Sequence, residues 1–341
     1  MQTNSYELSK MMIQRGFKIL ALFLFLLCAS FTSDVRAQKL LRLLHYADSM
    51  LTARYRSSDI DTAYIMRPQT KWTLTARLNV SGAKLEMEGN QMGTPFRSEI
   101  TADYKSTVSL GVNYLGVSVV MALNPAKIMG KYKDFELNLN SYSNRMGFDF
   151  IYQNARNFKG WHKAEGTPRI ELPPEVVKLK SLNVNAYYAF NYRRFSYPAA
   201  FMQSYIQRHS AGSFLLAVSG QGQRVDTKRQ YESVLKVTNI GIGGGYGYNW
   251  VPGRNWLFHL SALPTFTVYS NTSLKVNDNR IPIDYHFPEV IITGRGALVR
   301  QFGNMFVGTT MVYNFTNIGS KKKLAVHNSK WITRLFVGLR L

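Results

Sequence analysis

The chain has 341 residues, of which 45% are hydrophobic and 13% aromatic, and its formal net charge at pH 7 is +22. The basic residues are scattered and accompany no recognition motif, which excludes nucleic acid as an expected partner. Beyond the N-terminus no segment approaches the roughly 20 continuous apolar residues that a spanning helix needs, so entry into a membrane requires strands.

Residues 1–37 are predicted to be a signal peptide. Basic residues precede an apolar run at 19–28 that is too short to span a bilayer, and the tripeptide ending at Ala37 offers a small-residue cleavage site. We expect cleavage near Ala37 and export to the cell outer membrane. The single cysteine, Cys28, lies in this segment, so the mature chain should have no disulfide, zinc–thiolate site or cysteine nucleophile.

Residues 38–70 form a predicted periplasmic N-terminal segment. Leucines recur at helical spacing between positions 39 and 56, which predicts a short helix. This helix is expected either to pack on the end of the domain that follows or to enter that domain as a plug. Residues 59–68 are too polar and irregular for a strand.

From Trp72 onward the hydrophobic period is two, which is typical of strands. The pattern predicts an all-β fold, a transmembrane antiparallel up-and-down β-barrel over residues 71–341, with about twelve strands and with ten or fourteen also possible. The predicted strands are 72–88, 97–114, 117–124, 134–142, 145–153, 181–194, 212–220, 234–250, 255–269, 288–301, 304–317 and 330–341.

The connections alternate in length along the chain. They are long after odd-numbered strands, as at 154–180, and tight after most even-numbered strands, as at Phe302-Gly303. Long outer loops with short periplasmic turns are typical of outer-membrane barrels and place both termini in the periplasm. One even-numbered connection, 195–211, is long and breaks this rule.

The last predicted strand has an apolar face and an arginine-bearing face. Trp331, Leu335 and Val337 share one side, whereas Arg334 and Arg340 fall on the other. This arrangement predicts a strand that closes the barrel with lipid outside and a polar interior. We expect the barrel-assembly machinery to bind it.

The opposite phase of each strand predicts which side chains line the lumen. A mixed set of charges can line a water-filled pore or form a network that closes it, and barrels near this width are often filled, so we expect a closed or narrow lumen. The lumen-lining candidates are Arg77, Arg97, Glu99, Asp103, Glu136, Asp149, Arg193, Arg295, Arg334 and Arg340.

Four glycines share the predicted inner face of one strand. The alternation continues past them, which argues against a phosphate-binding loop, because such a loop is followed by a helix. A bare inner wall either eases strand curvature or leaves room for an element that packs there. The plug-packing candidates are Gly241, Gly243, Gly245 and Gly247, with Tyr197, Pro198 and Phe201 from the long inner connection.

Catalysis has little support in the sequence. The common hydrolase and metalloprotease motifs are absent, and the six histidines are scattered. His259 and Ser261 form the one suggestive pair, which we interpret as ordinary lumen residues. We therefore predict no enzyme, no catalytic residue, no metal and no cofactor.

Basic residues concentrate in several predicted outer loops. Examples are Lys159 and Lys163, which flank Trp161 and His162, and the run 321–323. These loops could contact lipid-linked phosphates of lipopolysaccharide, or they could be a generic solvated surface. The other expected partners are outer-membrane lipid and small anionic solutes, and the barrel is expected to be a monomer.

Two stretches carry a resemblance to a known family. One is Asp61-Thr62, Tyr64-Ile65, Pro68 and Trp72; the other is Phe195-Ser196-Tyr197-Pro198-Ala199-Ala200-Phe201 with Gln203-Ser204. Together they resemble the outer-membrane barrel family named domain of unknown function 4421. The resemblance implies a signal peptide and an outer-membrane barrel, but no mechanism.

The predicted function is that of an outer-membrane barrel, a narrow or plugged channel or binding protein for small anionic solutes. The alternatives are an outer-membrane enzyme acting on lipid or polysaccharide and a purely structural envelope barrel.

Overall fold

The computed structural model describes residues 45–46, 48–50, 52–53, 59–91, 93–102, 104–115, 117–123, 135–227, 233–276, 279–283, 289–320 and 324–341. The chain divides into two units, Met1–Ser58 and Asp59–Leu341. In the first unit the described residues are helical, at positions where the leucine spacing predicts a helix. The predicted signal peptide lies outside the described residues. No helix in the described part of the chain is long and apolar enough to cross a membrane.

The second unit is almost entirely strand. In chain order its elements are β1 (Ile65–Met66), β2 (Trp72–Gln91), β3 (Thr94–Ala102), β4 (Lys105–Tyr114), β5 (Val117–Leu123), β6 (Phe135–Tyr142), β7 (Met146–Ala164), β8 (Ile170–Ala189), α1 (Tyr197–Phe201), β9 (Ile206–Gln207), β10 (Ala211–Thr227), β11 (Ser233–Gly253), β12 (Trp256–Val276), β13 (Asn279–Ile283), β14 (Val290–Phe302), β15 (Met305–Ser320) and β16 (Leu324–Arg340).

Twelve strands of the described chain close into a ring. Their order round the ring is β2, β4, β5, β6, β7, β8, β10, β11, β12, β14, β15 and β16. The last of these pairs with the first, because β16 runs antiparallel to β2 from Leu324 opposite Gly89 to Arg340 opposite Thr73. The predicted antiparallel up-and-down barrel of twelve strands is therefore confirmed.

The ring has one branch point. β3 pairs with β2 on one side and with β7 on the other, so it joins β2 directly to β7 in the outer part of the barrel. β4, β5 and β6 fill the part of the wall between the same two strands that lies at the end with the short turns. The predicted strand 97–114 is thus two strands that share β2 as a neighbour.

A bulge separates β3 from β4. Ser81 lies opposite Lys105, whereas Lys84 lies opposite Thr101, so the pairing shifts by one residue between the two. Such a shift transfers every later side chain to the other face of the sheet. The interior face of β3 is therefore even-numbered, whereas that of β4 is odd-numbered.

The bulge overturns two lumen predictions. Arg97 and Glu99 face outward, where Arg97 pairs with Glu88 at 3.4 Å and Glu99 with Lys84 at 3.3 Å. The intervening Ser98 is 3% exposed. The prediction of Arg97 and Glu99 as lumen-lining residues is wrong, because it assumed that inward-facing and outward-facing residues alternate without interruption from 97 to 114. Asp103, predicted in the same phase, lies outside the described residues.

The outer surface carries an apolar belt. On β11 the large apolar residues that are exposed run from Ile240 to Trp250. This length matches the roughly 9–11 residues that a tilted strand needs to cross the hydrocarbon layer. Aromatic pairs mark the short-turn end, with Trp72 4.4 Å from Tyr114 and Trp250 5.1 Å from Phe258. Such rings favour the depth of the lipid headgroups.

Several predicted outer loops are strands. The predicted loop 154–180 is mostly the outer half of β7 and β8, which pair as far as His162 opposite Ile170. Alternation places Trp161 outside, beneath the Arg169 guanidinium at 4.7 Å, and His162 inside, 2.7 Å from Ser98. Trp161 and His162, which the sequence places in one outer loop, therefore lie on a strand and on opposite faces of the wall. The basic run 321–323 lies outside the described residues.

Candidate functional site

The long connection between β8 and β10 enters the barrel at its short-turn end. We call residues 190–210 the plug. Phe195, Tyr197, Ala199 and Ala200 are fully buried, and α1 contacts β12 and β14. Ser196 caps α1 by accepting a hydrogen bond from Ala199 N at 3.2 Å, and a proline follows in the first turn, a favourable helix start. The connection that breaks the loop rule therefore fills the half of the lumen at the short-turn end.

The N-terminal segment 59–68 contacts the plug at the short-turn end of the barrel, and we call this contact the clasp. β1 pairs with β9, and Asp61 Oδ2 accepts a hydrogen bond from Arg194 Nε at 3.1 Å. The Arg194 guanidinium also lies 4.9 Å from the ring of Tyr64. The two stretches that carry the family resemblance are therefore in contact with each other.

Arg193 belongs to this clasp and not to the lumen. Its guanidinium donates to Asp59 at 2.8 Å, and its side chain is 63% exposed. The predicted strand 181–194 ends at Ala189, so the phase that placed Arg193 inside does not extend that far. The prediction of Arg193 as a lumen-lining residue is wrong.

A buried polar chain joins the plug to the wall. Asn249 Nδ2 donates to Ser196 O and to Gln207 Oε1, both at 2.9 Å. Its Oδ1 lies 2.7 Å from His259 Nδ1, and His259 Nε2 lies 3.0 Å from Ser261 Oγ. Asn249, His259 and Ser261 are each less than 5% exposed.

The plug covers the end of this chain. The Tyr197 hydroxyl lies 2.7 Å from Ser261 Oγ. The rings of Phe195, Tyr197 and Phe201 stand 5.9, 4.9 and 5.1 Å from the His259 ring. His259 and Ser261, interpreted from the sequence as ordinary lumen residues, are thus enclosed between the barrel wall and three aromatic side chains.

An arginine of the closing strand anchors the other side of the plug. Arg340 Nε donates to Gln203 O at 3.2 Å, and its Nη1 donates to Gln301 Oε1 at 2.7 Å. Its guanidinium also lies 4.7 Å from the ring of Phe306. Arg340 faces the lumen, but it holds the plug and is only 2% exposed.

The inner glycines divide into two groups. A Cβ on Gly247 would lie 2.9 Å from the ring of Phe195, so this position makes room for the plug. A Cβ on Gly243 or Gly245 would meet the backbone of β12 first, at Pro264 O or Ala262 O. Gly247 therefore makes room for the plug, as one of the two suggestions had it, whereas Gly243 and Gly245 allow β11 and β12 to approach closely.

We expect Gly245→Ala to lower the free energy of unfolding by about 1–3 kcal/mol, as overpacking usually does, because the backbone of β12 cannot yield as a side chain can. Urea unfolding in lipid vesicles measures this change. Gly222→Ala is the matched control, since nothing lies within 4 Å of its Cβ position, and its effect should stay within about 0.5 kcal/mol. Equal effects of both variants would contradict the close approach of β11 and β12.

A salt bridge crosses the lumen above the plug. Arg295 Nη2 donates to Asp149 Oδ2 at 2.7 Å, and both side chains are 6% exposed. The Tyr142 hydroxyl donates to the other carboxylate oxygen of Asp149. Because β14 and β7 lie on different sides of the ring, the pair ties distant parts of the wall together. We call it the strut.

The strut also contacts the plug. The Arg295 guanidinium lies 5.8 Å from the ring of Tyr197, and the ring of Tyr187 lies 4.6 Å from the same ring at an interplanar angle of 35°. Arg77 and Arg334 line a small cavity beside Tyr142 and Phe201 at the same level. Four predicted lumen residues, Arg77, Asp149, Arg295 and Arg334, therefore meet at the roof of the plug, although they come from four strands.

A polar chamber lies on the outer side of the strut. The space open to water molecules is ≈ 100 Å³, and three cationic side chains, Arg295, Lys330 and Arg334, line it together with the carboxylate of Asp149. Lys330 Nζ reaches across to Gln153 Oε1 at 2.9 Å. The other polar side chains in the lining are Tyr142, Gln153, Ser181, Asn183, Asn185, Ser219, Gln221, Gln223, Thr293, Asn314, Thr316 and Asn328.

An apolar cluster closes the lumen beyond the chamber. Interior side chains that would usually be polar in a barrel are apolar at this level and pack across the lumen. We call them the outer cluster: Leu85, Ile100, Ala155, Phe158, Val176, Val177, Val225, Leu235, Val237, Leu324 and Val326. The chamber thus lies between two seals, the plug at the short-turn end and the outer cluster at the opposite end.

Several residues of this site were not predicted from the sequence. Asn249 could have been found, because the tight turn after it places it opposite His259 on the next strand. Lys330 lies in the interior phase of β16 but was not singled out. The Glu136 side chain, predicted to line the lumen, lies outside the described side chains. No group of three or more potential metal ligands occurs in the described part of the chain.

Solved structures similar to this chain are outer-membrane proteins. The outer membrane protease OmpT from Escherichia coli is 9% identical, with a TM-score of 0.40, over 80% of this chain and 97% of that one. The outer membrane protein OprG from Pseudomonas aeruginosa is 9% identical, with a TM-score of 0.29, over 81% and 99%. The transport unit of the autotransporter AIDA-I from Escherichia coli is 11% identical, with a TM-score of 0.31, over 85% and 97%.

No curated protein sequence matches the chain. A family model does match, and it runs from the clasp at Asp59 through the closing strand, so it includes the ring, the plug and the chamber. The chain therefore belongs to the outer-membrane β-barrel family described as Domain of unknown function (DUF4421), which matches residues 59–340.

Proposed function

We propose that this protein is a plugged outer-membrane barrel that binds a small anionic solute in the central chamber and releases it when the plug moves. The observation that carries the proposal is the charge of the chamber, whose described lining has three cationic side chains and one carboxylate. In a low-dielectric interior such an excess favours an anion, because the cations attract it more strongly than they do in water.

The surrounding side chains support the same ligand. Asparagine, glutamine, serine and threonine both donate and accept hydrogen bonds, so they can surround a carboxylate or phosphate without further charge. Within the strut, Asp149 already neutralises the charge of Arg295, with 2.7 Å between Asp149 Oδ2 and Arg295 Nη2. The positive character of the chamber therefore comes from Lys330 and Arg334, both on the closing strand β16.

The size of the chamber limits the ligand. The space of ≈ 100 Å³ that is open to water is enough for several ordered water molecules. Inorganic phosphate or a short carboxylate is of this size, and a sugar chain or a lipid is not. Both seals must yield for such an ion to cross the membrane, whereas the plug alone must yield for it to enter from the periplasm.

The proposal is tested by calorimetric titration of inorganic phosphate into refolded protein, residues 38–341, from which residues 193–209 have been removed to open the chamber. We expect phosphate to bind and Lys330→Gln to weaken the binding about 10- to 100-fold, since a hydrogen bond to a charged group contributes about 1.5–3 kcal/mol. Arg97→Gln, on the outer face, is the matched control and should leave the affinity unchanged. Equal phosphate affinity in Lys330→Gln, or equally tight binding of glucose, would refute the anion chamber.

A further inference from the structure

We propose that Ser261 is a latent nucleophile, which His259 and Asn249 activate and the plug covers. This proposal goes beyond solute binding, because it assigns acyl-ester chemistry to a separate set of residues on the periplasmic side of the strut. The three side chains stand at the distances of a nucleophile, its base and the group that orients the base, 3.0 Å from Ser261 Oγ to His259 Nε2 and 2.7 Å from His259 Nδ1 to Asn249 Oδ1.

The hydrogen bonds determine the tautomer of the histidine. Asn249 Nδ2 already donates to Ser196 O and Gln207 Oε1, so its Oδ1 faces His259 and must accept. The proton of the imidazole is therefore on Nδ1, and Nε2 is the acceptor for the Ser261 hydroxyl. A base for serine needs this tautomer, and an oriented amide can hold it as a carboxylate does.

The frame that holds the three residues is rigid. His259 and Ser261 are successive interior residues of β12, and Asn249 lies opposite His259 on β11. The backbone positions of these residues depend on the register of one hairpin and not on the plug. Removing the plug therefore leaves those positions in place, and Tyr197→Ala also retains Ser196 and Gln207, which accept the hydrogen bonds that orient Asn249.

Tyr197 keeps the site inactive in the closed barrel. Because Ser261 donates its proton to His259, the Tyr197 hydroxyl must donate to Ser261 Oγ at 2.7 Å, and its ring lies 4.9 Å from the His259 ring. Ser261 is 3% exposed in this state. Displacement of the plug toward the periplasm would uncover the nucleophile to soluble esters, and lipids outside the wall would still have no access.

The reaction is the transfer of an acyl group to water. Ser261 Oγ would attack the ester carbonyl while its proton passes to His259 Nε2. Cleavage of the bond to the leaving alcohol would return that proton to the alcohol oxygen. Water would then attack the acyl-serine, with His259 again accepting the proton and returning it to Ser261 Oγ.

A fluorophosphonate probe tests the proposal, with the labelled residue identified by peptide mass spectrometry. In the intact barrel we expect no labelling of Ser261. In the plug-deleted protein, and in the milder variant Tyr197→Ala, we expect labelling at Ser261 and not at Ser213, an interior serine whose hydroxyl contacts Asn191 N and Phe214 O. His259→Ala in the plug-deleted protein should slow the labelling at least 100-fold, since a general base contributes about 10²- to 10⁴-fold.

An access control makes a negative result decisive. The mature chain is expected to hold no cysteine, so Ser261→Cys in the plug-deleted protein reports with a thiol reagent whether position 261 can be reached. If that cysteine reacts but Ser261 is not labelled by the fluorophosphonate, the proposal is overturned. It is also overturned if Ser213 and Ser261 react at equal rates or if His259→Ala leaves the rate unchanged. Phosphate titration of the chamber is independent of all these outcomes.

Discussion

Replacing Arg295 with methionine is expected to lower the free energy of unfolding by about 3–5 kcal/mol, because removal of one partner of a buried ion pair leaves the other charge uncompensated. Asp149 would retain the Tyr142 hydroxyl but lose the guanidinium 2.7 Å away. The remaining carboxylate is only 6% exposed, so water in the chamber compensates its charge less well than the guanidinium does. Urea unfolding in lipid vesicles, followed by tryptophan fluorescence, measures the change.

Two further variants show whether the charge or the packing is responsible. The double variant Arg295→Met with Asp149→Leu removes both charges and should recover most of the loss, since an apolar replacement of a buried pair is often neutral. Arg97→Gln breaks an exposed pair, in which Arg97 is 54% exposed, and should change stability by no more than about 1 kcal/mol. A double variant as unstable as Arg295→Met would show that volume and not charge governs the site.

The outer apolar belt and the number of strands could be predicted from the sequence, because each depends on the local alternation of apolar and polar side chains. A residue such as Ile240 or Leu335 faces lipid by virtue of its neighbours two positions away, and that relation is visible in the sequence. The same rule placed Arg77, Asp149, Arg295 and Arg334 on the interior face. The rule failed at Arg97 and Glu99, because one inserted residue between β3 and β4 exchanges the inward-facing and outward-facing positions of β3. The amino-acid composition around the insertion does not reveal it.

The contacts across the lumen could not be predicted by the same means. Arg295 and Asp149 meet because strands that are not neighbours bring them to the same height, and that height depends on the register of every strand between them. Tyr197 meets Ser261 because a connection folds back into the barrel, which alternation cannot indicate. The long inner connection and the glycines facing it were the available signals, and of those glycines only Gly247 has a plug side chain as the nearest neighbour of its Cβ position.

Conductance in a planar bilayer tests whether the plug and the outer cluster each seal the lumen. The intact barrel is expected to be silent, because the plug and the outer cluster close the lumen in series. Deleting residues 193–209 should open only the periplasmic side. β8 and β10 are antiparallel neighbours, paired from Ala189 opposite Leu215 outward, so a short glycine linker can join them with the ring pairings intact.

Conduction should require a second change in the outer cluster. Phe158 and Leu235 are each 3% exposed and face the lumen from β7 and β11, so Phe158→Ser with Leu235→Ser would admit water to this level. The combined variant should give steady openings that prefer anions, since Lys330, Arg334 and Arg295 line the path between the seals. The outer substitutions alone should remain silent, because the plug still closes the lumen. Steady openings of the intact barrel, or silence of the combined variant after its insertion is verified, would contradict two seals in series.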